Sequence, residues 1–517
     1  MASLVRAAAL ALALLLGSVP IASAHGLWGH IHVTGWAIEN LPDGELRDFF
    51  SDPEVLNAAL FGATYTDSGY SVSGPLEGLA RDIAEQTHWE PFITAYVQWI
   101  RDNDPPPWTD LESKKRVAFL MGCASHGLQD EVFDTLFLYQ VGEHDSGDQE
   151  SADPGTDGFL ALQGHLRFVP KEYVPRDAIR GLYVDIDDTL YDAAVDKALS
   201  LVLGVYINDD FGIAAARASG EYYQPIIPWS YDHYLDPSIP GSLRAEIPPT
   251  MRYLQVLWKR LHDPSDAETV TTTFPELPRR LPSVLTGTPD AWVSLMFGAG
   301  VFYDQLAPTW DRLAGPTGDA LGPVPFELVN SRWGPAETRI VKLQPTTELT
   351  PGAWYRVQVP ALPRLDGVAG TPFGFEFQAE CATEGDPACP PVTPAEWAID
   401  GKPAVPDVGP DEPDAPGPEG DVGEGADAAG MDAGDVTAAG DVTAAEAPPE
   451  SDDLGALARS PDVAGSDVTS STDVGGIAAA SDGGCVATPA APSGPTLSFF
   501  VLLLIVGWTR RFWGASP

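Results

Sequence analysis

Aromatic side chains stop at Trp397 and do not return until Phe499. From about Asp400 to Asp482 the chain is mostly Ala, Asp, Glu, Gly, Pro, Val, Ser and Thr, with Lys402 and Arg459 its only bases. Such a segment buries too little apolar area to offset the entropy of ordering it, so residues 398–484 are expected to be a disordered spacer. Its acids supply a large part of the formal charge of −45. Any packed core has to lie upstream.

The two ends carry signals of their own. Arg6 precedes an apolar run over residues 7–16, then Gly17, Pro20 and Ala22-Ser23-Ala24. A charged region, an apolar region and a small-residue cleavage site read as a signal peptide over residues 1–24. Cleavage after Ala24 leaves His25 as the first residue of the mature chain. At the other end, Cys485 is followed by an apolar run over residues 497–508 and by Arg510-Arg511. A dozen or so apolar residues fall short of the roughly 20 that span a bilayer. Residues 485–517 resemble the C-terminal sorting signals of myxobacterial surface proteins. That resemblance implies an exported protein anchored at the cell surface or outer envelope, with the membrane as the partner of this segment.

About 375 residues remain between signal and spacer, enough for two domains. Residues 25–262 show helical periodicity, as in Val117, Phe119, Leu120, Leu128, Val132 and Phe133. After Asp263 the texture changes to short alternating runs, such as Arg339-Ile340-Val341-Lys342-Leu343 and Trp354-Tyr355-Arg356-Val357-Gln358-Val359. These are bounded by Pro, Gly, Asn or Asp and indicate a small β-sandwich over residues 280–380. The stretch from Thr347 to Tyr355, followed by Asp366-Gly367, resembles bacterial Ig-like domains and implies a spacer or binding module. Four cysteines do not make a disulfide scaffold; Cys381 and Cys389 could pair outside the cell, and Cys123 reads as a small buried residue.

The placement of histidine is the sharpest chemical signal. Of nine, His25, His30, His32, His88, His126, His144 and His165 lie in the first third of the mature chain, among Asp67, Asp130, Asp134, Asp153 and Asp157. Imidazoles mixed with carboxylates suit zinc or a similar ion. His126 and Asp130 stand four apart, so one helix face presents both, and Asp134 is expected to extend that face by a turn.

Longer motifs surround these residues: Phe61-Gly62-Ala63-Thr64-Tyr65-Thr66-Asp67, Thr87-His88-Trp89-Glu90-Pro91-Phe92, and Ala118-Phe119-Leu120-Met121-Gly122 through Ser125-His126. With them the chain resembles the zinc-dependent phospholipase C family, most closely its glycosylphosphatidylinositol-specific phospholipase D branch, over about 160 residues. The resemblance implies an all-α metal-dependent phospholipase domain, followed here by the small all-β Ig-like sandwich and the disordered acidic tail. It implies up to three metal ions, with the mature amino terminus at His25 as a ligand beside His30, Asp67, His88, His126 and Asp130. Asp67 is the implied general base, and the implied substrate is a phospholipid or a glycosylphosphatidylinositol-like lipid.

Two departures bear on the metals. Asp134 stands where the family has histidine, and Asp153 with Asp157 stands where it has histidine followed by an acid. Carboxylates are harder ligands and shift preference from zinc toward Mg, Ca or Mn. His32, His144 and His165 match no family ligand. Asp185-Ile186-Asp187-Asp188-Thr189 echoes a phosphotransferase nucleophile motif, but the helical sequence after it indicates a turn that caps a helix. An exported nuclease with similar metal logic remains a second reading, against which the acidic charge argues. A non-catalytic, metal-stabilised surface adhesin is a third.

Overall fold

A computed structural model describes residues 26–207, 211–274, 280–281, 292–330, 337–383 and 385–389. The expectations for the signal peptide, His25, the spacer and the sorting segment lie outside the described residues. No helix among the described residues is long and apolar enough to cross a membrane.

Residues 26–262 hold helices and, among the described residues, no strand. Helix α1 is Leu27–Glu39, buried from Trp28 to Ile38. Asp52 accepts the Glu54 N–H at 2.9 Å and Pro53 fills the first turn, which starts α2 at Pro53–Ser68. Helix α3, Glu77–His88, ends because Trp89 is extended and Pro91 belongs to the first turn of α4, Glu90–Asn103. This break leaves His88 at the last position of α3. Asp110 accepts the Ser113 N–H at 2.9 Å and begins α5, Leu111–Val132.

From Val117 onward α5 is buried at every residue, so it is the central helix around which the others pack. Helix α2 crosses it at backbone contact, with Gly62 against Phe119 and Cys123 and Gly122 against Ala59 and Ala63. Four further helices, α6 (Gln149–Leu162), α7 (Asp188–Leu201), α8 (Phe211–Tyr223) and α9 (Ile247–His262), complete the helical part along with shorter turns. Asp187 caps α7 through Thr189, so the Asp185–Thr189 motif is a helix start.

The strands are β1 (Val270–Phe274), β2 (Arg280–Leu281), β3 (Val293–Phe302), β4 (Thr309–Leu313), β5 (Ala320–Pro323), β6 (Phe326–Asn330), β7 (Glu337–Pro345), β8 (Trp354–Val359) and β9 (Phe373–Ala379). They form two sheets, in the orders β1-β3-β7-β6 and β2-β9-β8-β4-β5. Val293, Leu295, Phe297, Val341 and Leu343 from the first pack on Trp310, Tyr355, Val357, Phe375 and Phe377 from the second. A Cys381–Cys389 disulfide follows β9.

The structure corrects the sequence reading in two ways. The β region begins at Val270 rather than near 280, because Val270-Thr271-Thr272-Thr273-Phe274 pairs with β3. Nor is the helical core closed at 262: Trp292, Met296 and Ile340 belong to the same buried cluster as the helices. The all-α description fits residues 26–262 alone, and the two sheets keep a buried cluster of their own beside the helical one.

Candidate metal centre

Helices α1, α2, α3 and α5 each deliver a side chain to one buried point. His30 comes from α1, Asp67 from α2, His88 from the end of α3, and His126 with Asp130 from one face of α5. Ligand atoms of Asp67, His88, His126 and Asp130 lie within 4.8 Å of one another, so these four could hold a metal ion. The His88 Nε2 stands 3.1 Å from Asp67 Oδ1 and 3.0 Å from Asp130 Oδ2. The His126 Nε2 stands 3.4 Å from each of the same oxygens. His30 closes the ring, its Nε2 3.1 Å from Asp130 Oδ1 and 4.0 Å from Asp67 Oδ2, and its ring stacked 3.5 Å over His126.

The outer nitrogens decide what faces the centre. His88 Nδ1–H donates to the Ala84 carbonyl at 2.7 Å, His126 Nδ1–H to the Ala63 carbonyl at 2.5 Å, and His30 Nδ1–H to Gln129 Oε1 at 3.0 Å. Each of these acceptors requires a proton on Nδ1, which turns a lone pair on Nε2 inward. Nitrogen lone pairs then face each other, 3.2 Å apart for His88 and His126, and face two carboxylates. Such an arrangement repels itself until a cation or protons occupy the centre. The donor set, imidazole nitrogen with carboxylate oxygen, fits a divalent transition metal.

Charge in the centre runs the same way. Burial alone raises a carboxyl pKa, yet at Asp67 the His126 and His88 imidazoles outweigh it and hold the group below the usual range. Asp130 is held well below by His126 and His30 against the same burial. Burial lowers His30, assisted by His126. For His88 and His126 the two carboxylates overcome burial and raise the imidazoles.

Three other candidate ligands surround this core. Asp134 lies not on the α-helical face but in a π-turn, Phe133–Phe137, which follows α5 and shifts its direction. Its Oδ1, and both carboxylate oxygens of Asp153 on α6, are buried with no hydrogen-bond partner among the described residues. Burial raises both carboxyls well above the ordinary range, and the field of Asp130 adds to it at each. Asp157, a turn further along α6, also caps α1, accepting the Trp28 N–H at 3.1 Å and the Gly29 N–H at 2.8 Å. Burial pushes its carboxyl up to about 7 in spite of those donors. Replacing Asp157 with Ala is expected to cost roughly 1–2 kcal/mol of stability in urea unfolding, as for other lost helix caps.

The remaining histidines stand apart. His32 holds the loop after α6, with Nδ1–H donating to the Trp28 carbonyl and Nε2 accepting the Arg167 N–H at 3.0 Å. His144 stacks on Trp229, and His165 meets the edge of Trp36. Sequence reasoning missed Glu246, which is buried just before α9 and raised well above the ordinary carboxyl range by burial, then by Asp130 and Asp134. It lies more than 100 residues from those acids in sequence, and no spacing signal marks it.

No protein-family model matches the chain. Curated relatives do. Phosphatidylinositol-glycan-specific phospholipase D of Mus musculus is 32% identical over 183 residues, 34% of this chain and 21% of that protein. The Bos taurus protein of that name is 31% identical over 189 residues, 34% of this chain and 22% of that protein. The Dictyostelium discoideum one is 27% identical over 196 residues, covering 35% and 19%. Among solved structures, a copper resistance protein from Escherichia coli overlays with a TM-score of 0.17 at 12% identity, over 22% of this chain and 98% of that one; so loose an overlay carries no argument. The chain therefore spans about a fifth of the length of the phospholipases it matches, and about a third of it is homologous to them.

Proposed function

We propose that the chain is a metal-dependent phosphodiesterase that hydrolyses phospholipids or glycosylphosphatidylinositol-like lipids. The observation that carries this is the buried convergence of His88 and His126 Nε2 with Asp67 and Asp130 oxygens. The name shared by its relatives supplies the substrate class. His30, Asp67, His88, His126 and Asp130 would hold the first metals. Asp134, Asp153 and Asp157, with the amino terminus at His25, would complete a set of up to three, zinc at the imidazole-rich positions and harder ions favoured at the aspartates. Bound there, divalent ions supply a water of lowered pKa and charge to balance the phosphoryl oxygens.

The chain's own residues do the rest. Asp67 stays ionised between two imidazoles, so its oxygens can accept a hydrogen bond from the attacking water and orient it. The carbonyls of Ala84 and Ala63 lock the His88 and His126 tautomers, so neither ring can turn its nitrogen away. The signal at residues 1–24 would export the enzyme, and the segment at 485–517 would tether it at the envelope.

The test uses the full mature chain with counted metals, assayed on phospholipid, glycosylphosphatidylinositol and nucleic-acid phosphodiesters. Chelator-sensitive lipid hydrolysis is expected, with His126→Ala and Asp67→Asn each reducing kcat/KM by about 10²–10⁴-fold. Hydrolysis that survives both the chelator and His126→Ala would rule the reading out. Turnover of DNA or RNA without lipid would make it a nuclease, and bound metal with no turnover an adhesin.

A further inference from the structure

A strand of the β region reaches two of the helices that carry the centre. Arg339 on β7 is fully buried, as is its partner Glu131, the residue next to Asp130. The Arg339 Nε donates to Glu131 Oε1 at 2.7 Å, and the Arg339 backbone N–H donates to Glu131 Oε2 at 2.7 Å. Its Nη2 donates to the carbonyl of His88 at 2.7 Å. One guanidinium thus joins the last residue of α3 to the last turn of α5, and both places carry a proposed metal ligand.

The surroundings are shaped for this contact. A Cβ on Gly127, the residue after His126, would fall inside the His88 carbonyl oxygen and 2.6 Å from Arg339 Nη2. Only glycine lets the two helices and the arginine meet there. Arg339 sits where the β3–β7 register shifts between Met296 and Val301, a bulge that re-aims side chains. A second tie lies two residues beyond His88. The buried Glu90 meets Arg260 at 3.0 Å and accepts from Tyr253 at 3.0 Å, while Arg260 also donates to the Gly298 carbonyl at 3.2 Å. A Cβ on Gly300 would stand 2.5 Å from Glu90 Cγ, so β3 is pressed against this residue too.

We infer that Arg339 is a positioning residue for the metal centre, and that the β region is part of the hydrolase unit and not an independent module. The inference rests on the reading of the centre as a metal site. Arg339 fixes where the His88 main chain ends and holds the Glu131 turn of α5, so His88 Nε2 and Asp130 keep their 3.0 Å approach. A ligand set held this way binds metal more tightly than the same residues left to relax, typically by about 10- to 100-fold.

The experiment compares the full mature chain with Arg339→Met, Arg339→Lys and Val341→Ala. The last of these removes volume from the sandwich interior, in a buried cluster that holds none of the candidate ligands. The readouts are Zn²⁺ affinity by chelator competition, the visible spectrum of the Co²⁺-loaded protein, and the thermal midpoint. Arg339→Met is expected to weaken Zn²⁺ binding at least about 10-fold and to shift the Co²⁺ bands. Arg339→Lys should fall between, since one ammonium cannot span both Glu131 and the His88 carbonyl. Val341→Ala should lower the midpoint and leave affinity and spectrum as they were. If Arg339→Met fails to fold, the double variant Glu131→Gln/Arg339→Met removes both buried charges and takes its place in the same measurements. Arg339→Met, or that double variant, with wild-type affinity and an unshifted spectrum would overturn the inference while leaving the metal site standing. A wild-type chain that takes up no Zn²⁺ or Co²⁺ would overturn the metal site itself, and this inference with it.

Discussion

Without metal, the chain is expected to lose stability as the pH rises from 5 to 8, and to gain it when Zn²⁺ is added at the higher pH. The centre gathers more buried carboxyls than it has cations to answer them. Asp134, Asp153 and Glu246 are raised well above the ordinary range, and Asp157 to about 7, chiefly by burial. A carboxyl raised in the folded state binds its proton more tightly there than in the unfolded chain. Its contribution is therefore present at low pH and lost as the pH climbs through the folded value. His88 and His126, raised by Asp130 and Asp67 in spite of burial, behave alike: full stabilisation below the unfolded imidazole value, lost above the folded one.

The groups that oppose this trend act elsewhere or weakly. Asp67 and Asp130 are depressed, so their contribution is lost only as the pH falls below the ordinary carboxylate range, outside the window. His30 is lowered and works the other way, but it is one ring against several groups. Protons and metal ions compete for the same oxygens and nitrogens, so metal stabilises most where protons have left. Free metal at a thousand times its Kd adds about 4 kcal/mol to the folded state. For a folded region of this size that corresponds to a midpoint shift of roughly 5–6 °C at pH 8. Differential scanning calorimetry of stripped and reloaded protein at pH 5 and pH 8 reads all four states. A stripped protein that grows more stable from pH 5 to pH 8 would mean the carboxyls are not held as described.

How much of this could be read from the chain depended on distance along it. The His126–Asp130 pair follows from a spacing of four on one helix, and the structure sets both on the inner face of α5. Asp67 and His88 have no such local relation, and only the motifs around them singled them out. Asp134 was expected one turn further along the same face. The π-turn over Phe133–Phe137 breaks that period, and neither glycine nor proline announces it. The β region was legible as strands, but its buried charges were not. In Arg339-Ile340-Val341-Lys342-Leu343 strict alternation puts Ile340 and Lys342 on one face and Arg339, Val341 and Leu343 on the other, yet both charged residues are buried. Arg339 finds Glu131, and Lys342 lies 4.1 Å over the Tyr139 ring and 4.8 Å over Trp292, where burial brings its pKa down to about 8. A period-two pattern says which residues share a face. It does not say what covers that face, and here the helical part does. Met296 and Ile340 thus pack with the helices, while the interior between the sheets forms a second cluster.

The crossing of α2 over α5 carries the other large expected effect. Gly122→Ala should destabilise the protein by roughly 1–3 kcal/mol and weaken metal binding at least about 10-fold. A Cβ on Gly122 would overlap the Ala59 carbonyl oxygen and stand 2.8 Å from the Ala63 nitrogen and 2.9 Å from the Ala59 carbonyl carbon. These are main-chain atoms of a helix, so no rotamer change makes room and the helices themselves must part. Parting them moves α2, which carries Asp67 and also the Ala63 carbonyl that holds His126 Nδ1–H. One methyl group would thus pull on two sides of the centre at once. Helix propensity alone argues the opposite way, since Ala is favoured over Gly by about 1 kcal/mol inside a helix. Gly78→Ala measures that intrinsic gain, because nothing lies within 4 Å of a Cβ there. It should leave stability equal or higher and metal affinity unchanged. Urea unfolding with chelator competition on the two variants separates the effects. Should Gly122→Ala match Gly78→Ala in both measurements, the distance between Asp67 and His126 is set by something other than this contact of two backbones.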